Sequence, residues 1–135
     1  MNKRDVFDYL KMLLGGILMH DLFFPEFLNL IAEKGFEERI FTLLTARLKL
    51  LNTWGYKVTC VKEFENIGQG LFSMHLTGAG FNIRVLFAFL SNNQPVLLHA
   101  FEEKQGKRRT DYSSHIPPAL LRLSQTKEDF KNGFI

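Results

Sequence analysis

The sequence predicts an α+β fold. Apolar residues recur at three- and four-residue steps in the first half, the texture changes to short β-rich runs after Gly55, and helical spacing returns from Ile116. Taken in order, residues 5–18 are apolar and helix-like, although Gly15 and Gly16 weaken a helix there. A short helix is expected to start at Pro25, a favourable first-turn residue, and to bury Phe27, Leu28 and Ile31. A longer helix carries the stripe Phe36, Ile40, Leu44, Leu48 and Leu51, with Glu37, Glu38, Arg47 and Lys49 off it and Gly35 and Gly55 at its ends. The runs Val58–Phe64, Leu71–Leu76, Phe81–Leu90 and Pro95–Phe101 read as strands, with compact turns in 77–80 and 91–94. A terminal helix from Ile116 to Phe130 buries Ala119, Leu120 and Leu123 and admits Pro117 and Pro118 in its first turn. The expected architecture is N-terminal helices packed on an antiparallel β-meander, with a closing C-terminal helix.

At 135 residues the chain suits one domain over 1–135 with a core of its own, residues 1–24 reading as a divergent N-terminal extension. Hydrophobic content of 46% against 23% charged residues excludes a disordered chain. Cys60 is the single cysteine, so no internal disulfide forms, and a reducing, cytoplasmic setting follows. It reads as a small buried hydrophobe. The apolar stretch Met12–Met19 is too short to cross a bilayer; it follows Asp5 and Asp8 and lacks a cleavage signature, so neither a membrane span nor a signal peptide is expected. Residues 1–66 carry nine basic and nine acidic side chains, and residues 67–135 carry eight and five, so the net charge of +3 lies wholly in the second half. His75, His99 and His115 lie there too. That asymmetry points to an anionic partner or to a solvated basic surface.

The hairpins can be registered from their turns. A turn at Gly78-Ala79 would set Leu76 opposite Phe81, His75 opposite Asn82, Met74 opposite Ile83 and Ser73 opposite Arg84, and directly opposed residues share a face. One face then holds Phe72, Met74, Leu76, Phe81, Ile83, Val85, Phe87 and Phe89. The other holds Ser73, His75, Asn82 and Arg84. A second turn at Asn92-Asn93 would pair Phe89 with Val96, Phe87 with Leu98, Leu86 with His99 and Arg84 with Phe101. Val96, Leu98 and Ala100 would join the apolar face, and His99 the polar one. A one-residue slip would reverse this segregation. The apolar face is expected against the N-terminal helices. The opposite face is the candidate functional surface, partly covered because Leu86, Ala88, Leu97 and Phe101 share it. The segment Glu102 to Arg109, with Lys104, Lys107, Arg108 and Arg109, leaves the last strand beside that surface and could grip phosphates.

Several chemistries find no support. The chain has no phosphate loop of the Walker type, no dinucleotide fingerprint, no His pair at i, i+4 and no Cys-x-x-Cys. His75 and His99 are expected two strands apart with Arg84 between them, and a cation there disfavours a metal. No metal or cofactor is expected.

Three segments together resemble the HigB-like branch of the RelE toxin superfamily: Leu71-Phe72-Ser73-Met74-His75-Leu76, Phe81-Asn82-Ile83-Arg84-Val85-Leu86-Phe87 and Val96-Leu97-Leu98-His99-Ala100-Phe101. Lys104 to Arg109 match the family's lysine-rich turn, Ala119 an alanine of its terminal helix, and Pro25-Glu26-Phe27-Leu28 with the helix ending at Gly55 its two-helix segment. The similarity spans residues 25–123 as order and spacing. It implies a ribosome-dependent mRNA endoribonuclease, the toxin of a type II toxin–antitoxin pair, held inactive by a cognate antitoxin. The implied reaction is metal-free attack of a ribose 2′-hydroxyl on the adjacent phosphate. That needs a base, a cation for the phosphorane and an acid for the leaving oxygen. Arg84 matches the family's arginine, which assigns it to phosphate and transition-state stabilisation, while His99 matches a family histidine and Lys104 the second lysine of the turn.

The chain also departs from the pattern. Ser73-Met74-His75 stands where the family usually has Glu-Leu-Arg, and Glu103 where it has the first lysine. His75 is the base or acid candidate because imidazole titrates near neutrality. The catalytic candidates are therefore Arg84, His75 and His99. Lys104, Lys107, Arg108, Arg109, Ser73 and Asn82 are the candidate RNA contacts. Two alternatives stay open: a non-catalytic relative that binds RNA or the ribosome, and a protein-interaction module using apolar segments such as Leu10–Met19.

Overall fold

The computed structural model describes residues 15–33, 35–103 and 111–135. Strand β1 (Leu18–Met19) is followed by helices α1 (Phe23–Ala32) and α2 (Glu37–Trp54) and a 3-10 helix over Gly55–Cys60. Strands β2 (Phe64–Gly68), β3 (Leu71–Gly78), β4 (Phe81–Phe89) and β5 (Pro95–Glu102) form a meander, and α3 (Ile116–Lys131) closes the chain. The protein is α+β, with a five-stranded mixed sheet in the order β1-β5-β4-β3-β2.

The sheet departs from the antiparallel expectation at one edge, where β1 runs parallel to β5 and pairs Leu18 with Val96 and Met19 with Leu97. His20 N–H extends this pairing to Leu97 O at 2.9 Å. β5 thereby becomes an interior strand, which explains why Pro95 to Phe101 are all buried. Pro95 sits at its first position, where the missing N–H costs least. Helical character was expected over residues 5–18; residues 5–14 lie outside the described ones, 15–16 form a turn and Leu18 is strand. Ile17, Phe23 and Phe24 are core residues.

Helix α1 begins two residues before Pro25, so Phe23 enters the buried stripe with Phe27 and Ile31. Helix α2 follows the predicted stripe, burying Ile40, Leu44, Leu48 and Leu51. The run Val58–Phe64, expected as strand, is instead a 3-10 helix through Cys60 with the strand starting only at Phe64, and Cys60 is exposed rather than buried. Gly55, with φ of 56°, ends α2 and turns the chain into that 3-10 helix.

The predicted apolar face packs on α1 and α2 as expected: Phe72, Met74, Leu76, Phe81, Ile83, Val85 and Phe87 join the helix residues in one core, with Phe89 packed against it. Each fully buried Leu, Ile or Phe contributes roughly 1.5–3 kcal/mol. The pairings behind this face differ from prediction. Gly80 takes φ of 91° as the second residue of an Ala79-Gly80 turn, so Gly78 pairs with Phe81, Thr77 with Asn82, His75 with Arg84 and Ser73 with Leu86. The whole register has moved by two residues, which keeps every side chain on its predicted face and changes every partner.

The second hairpin holds the predicted register from Leu86↔His99 to Ile83↔Glu102 and then breaks at a β-bulge between Leu86 and Phe87. Beyond it Phe87 pairs with Leu97 and Ala88 with Val96, one residue out of step. Val96 and Leu98, expected beneath the N-terminal helices, therefore lie on the opposite face, and Leu97 takes their place in the main core. On that opposite face Leu71, Leu86, Ala88, Val96, Leu98 and Phe101 form a second core with Ala119 and Leu123 of α3. The closing helix thus packs on part of the face across β3, β4 and β5, and the polar residues His75 and Arg84 are half-buried on the same face.

Candidate functional site

Two adjacent rows of side chains cross this face. One runs Glu65–Ser73–Leu86–His99, the other His75–Arg84–Phe101, each from direct cross-strand partners. Arg84 sits centrally in its row, about 5 Å by strand spacing from His75 on one side and Phe101 on the other. Its Nη1 donates to Asn82 Oδ1 at 2.5 Å and to Thr77 Oγ1 at 3.4 Å. Asn82 thus orients the guanidinium along the strand.

His75 is half-buried, and its backbone carbonyl accepts a bond of 3.1 Å from Arg47 Nε of α2. Its Nε2 is buried without a hydrogen-bond partner, 3.7 Å from Glu65 Oε1, an ion-pairing separation too long for a hydrogen bond. Burial, then the charges of Arg84 and Arg47, hold the imidazole below its ordinary pKa against the opposing pull of Glu65.

Tyr112, in the segment leading to α3, closes the side of the site. Its hydroxyl donates to Glu65 Oε1 at 2.8 Å and accepts from Ser73 Oγ at 3.0 Å. Burial raises its pKa; the Ser73 bond acts the other way, and Glu65 adds to the rise. Its ring meets Phe101 edge-on, 5.9 Å between centroids. His115 lies flat on Phe101, 3.6 Å away with 6° between the ring planes.

The predicted residues have different fates. His75 and Arg84 come together as direct neighbours and Asn82 braces Arg84. Ser73 is fully buried and bound to Tyr112, which places it under the site rather than in it. His99 is only 8% exposed, with Nδ1 2.8 Å from Glu26 Oε1 and Nε2 2.9 Å from His115 Nδ1. Both ring nitrogens are engaged, so His99 can reach a substrate only through His115. Lys104, Lys107, Arg108 and Arg109 lie outside the described residues. Glu103 is buried, and its N–H donates to Asn82 O at 2.8 Å.

Arg122, Tyr112 and Glu65 were not named from the sequence, His115 appeared there only as one of three histidines in the basic half, and Glu26 only within the Pro25–Leu28 segment. Glu26 Oε1 accepts from His99 Nδ1, from Ala100 N–H at 2.8 Å and from Arg122 Nη1 at 2.9 Å; Oε2 accepts from Arg122 Nη2 at 3.0 Å. Burial acts to raise the Glu26 pKa, and these bonds together overcome it, lowering the pKa to about 2. One signal was present: Arg122 falls on the same side of α3 as Ala119, Leu123 and Thr126, where an arginine demands a partner. The partner, in α1, carried no matching mark.

Among the described residues no group of three or more His, Cys, Asp and Glu is arranged to hold a metal ion, and no helix is long and apolar enough to cross a membrane. No protein-family model, curated protein or solved structure matches this chain. The groups on this face are the Arg84 guanidinium held by Asn82 and Thr77, the His75 imidazole on the partner position of β3, and the His115 imidazole stacked on Phe101, the partner of Arg84 on β5.

Proposed function

We propose that the protein is a metal-free endoribonuclease whose centre is the row His75–Arg84–Phe101. The carrying observation is the direct cross-strand pairing of His75 with Arg84. A phosphate held by Arg84 would lie beside the His75 imidazole, a group able to carry a proton to or from an oxygen of the reacting phosphate. The 2′-hydroxyl loses its proton as its oxygen bonds to phosphorus, and the bond from phosphorus to the 5′-oxygen breaks. The products are a 2′,3′-cyclic phosphate and a 5′-hydroxyl. Arg84 offsets the charge on the phosphorane, and His75 carries one of the two proton transfers.

Within that class the reading is a HigB-like mRNA interferase of the RelE superfamily, acting on mRNA in the ribosome and restrained by a small cognate antitoxin. Support comes from the order of elements, in which a short first strand and two helices precede the meander and one helix follows it. The test is primer extension on mRNA in programmed bacterial ribosomes. New ends in the A-site codon with wild type, reduced about 10²- to 10³-fold in Arg84→Ala, support it. Absence of new ends with folded wild type overturns it.

The burial of Ser73 and Glu103, at two positions where the family pattern has charged groups, favours a second reading: a relative that binds RNA or the ribosome without cleaving it. Salt-sensitive RNA affinity without cleavage would select it.

A further inference from the structure

In-line displacement needs two proton-transfer groups on opposite sides of the phosphorus, and His75 supplies only one. The geometry points to His115 as the second, the acceptor of the 2′-hydroxyl proton, oriented through His99 by the Glu26 carboxylate; this rests on the RNA-cleaving reading above.

The assignment follows from which atoms can donate. Glu26 is ionised and can only accept, and its Oε1 lies 2.8 Å from His99 Nδ1, so that nitrogen carries the hydrogen. Where His99 carries that single hydrogen, the other nitrogen, Nε2, accepts. It lies 2.9 Å from His115 Nδ1, so His115 donates there. The Nε2 of His115 is left with its lone pair directed away from the dyad. When it takes a proton, the imidazolium keeps its Nδ1–H bond to His99, whose own Nδ1–H rests on the Glu26 anion. Burial and the neighbouring His99 hold the His115 pKa below its ordinary value against the pull of Glu26 and Asp111, which keeps the resting imidazole in its basic form.

Placement agrees with this role. His115 stacks on Phe101, the cross-strand partner of Arg84, and His75 is the partner of Arg84 on the other side. Along the row His75 and Phe101, on which His115 stacks, lie about two strand spacings or 10 Å apart with Arg84 between them. In the balanced step His115 Nε2 gains the 2′-hydroxyl proton, the 2′-oxygen bonds to phosphorus, the bond to the 5′-oxygen breaks, and protonated His75 gives its proton to that oxygen. Exchange with water resets both groups. His115 is the catalytic residue of this proposal, and His99 and Glu26 are positioning residues.

The experiment is single-turnover cleavage of mRNA on programmed ribosomes by wild type, His115→Ala and Arg84→Ala, with nitrogen-15 NMR of the histidine side chains in the free protein. His115→Ala is expected to cleave about 10²- to 10³-fold more slowly at unchanged ribosome affinity. Added imidazole should restore part of that rate and none of the Arg84→Ala loss. NMR should find His99 and His115 both protonated at Nδ1. Wild-type cleavage undiminished in His115→Ala, or a neutral His115 protonated at Nε2, overturns the assignment and leaves the RNA-cleaving reading standing. A folded wild type that shows those tautomers and does not cleave overturns the RNA-cleaving reading, and this role of His115 with it.

Discussion

Glu26 and Arg122, 96 positions apart in the chain, are joined by two hydrogen bonds of 2.9 and 3.0 Å, one to each carboxylate oxygen. The pair ties α1 to α3 beside β5, where Glu26 Oε1 accepts from Ala100 N–H and Arg122 Nη1 also donates to Leu98 O at 2.8 Å. Three elements meet at one carboxylate. That is why α3 lies where it does and why the segment before it, carrying Tyr112 and His115, reaches the polar rows.

Removing the carboxylate should loosen this junction. In Glu26→Ala the Arg122 guanidinium keeps its burial and loses its anion. With the Glu26 side chain 26% exposed, the expected cost is about 2–3 kcal/mol, below that of a fully buried pair. A urea midpoint that falls at unchanged slope would show it; an unchanged midpoint would mean the pair contributes nothing net.

The same carboxylate sets an acid limit. Its pKa is lowered from 4.5 to about 2, so its contribution is fully present above pH 4.5 and is lost as pH falls toward 2. The loss is on the order of 3 kcal/mol. Glu26→Gln should start less stable and show a flatter midpoint-against-pH curve between 4.5 and 2.

His75 and His115 act in a separate window. Both are held below the ordinary 6.5 chiefly by burial, with Arg84 adding at His75 and His99 at His115. Protonation therefore favours the unfolded chain, and their contribution is complete above 6.5 and declines as pH falls through the lowered values. Around His75 the opposing charge is Glu65; around His115 the opposing charges are Glu26 and Asp111. His75→Asn should remove part of the midpoint slope just below pH 6.5 and leave the slope that Glu26 gives below 4.5 intact.

Tyr112→Phe tests the link between β2, β3 and the segment before α3. It removes the hydroxyl partner of fully buried Ser73 and the donor to Glu65. A loss of about 1 kcal/mol by chemical denaturation is expected.

Gly80 decides the first hairpin. At φ of 91° a side chain is strained, and a Cβ would lie 2.7 Å from the Phe36 ring, which packs on Phe81. Gly80→Ala should cost about 1–3 kcal/mol and lower Tm; an unchanged Tm would mean the turn can re-form elsewhere.

Much of the fold was legible because alternation within a strand is a local property. Phe72, Met74, Leu76, Ile83, Val85 and Phe87 sort to one face whichever even register the hairpin takes. The turn residue was the hidden part: Gly78 and Gly80 both suit a turn, and only the packing of Phe81 and Phe36 around them selects the second. The bulge at Leu86/Phe87 was equally hidden, because Val96, Leu97 and Leu98 are all apolar and leave no mark of which face each one takes. Strand β1 is two residues long and carries no periodicity to read.

The sequence by itself determined the α+β class, the two helical stripes that face the sheet and the residues that share its polar face, since each depends on spacing within one element. Only the tertiary structure decided that His75 rather than Ser73 faces Arg84, that His99 is enclosed, and that His115 bonds to His99 and stacks on Phe101. The first outcome rests on the turn at Gly80, and the other two on contacts across 16, 73 and 96 positions, from His99 to His115, Glu26 to His99 and Glu26 to Arg122. A carboxylate, two imidazoles and a guanidinium select one another only once topology has brought them within hydrogen-bond reach, because a hydrogen bond acts over about 3 Å and leaves no periodic trace along the chain.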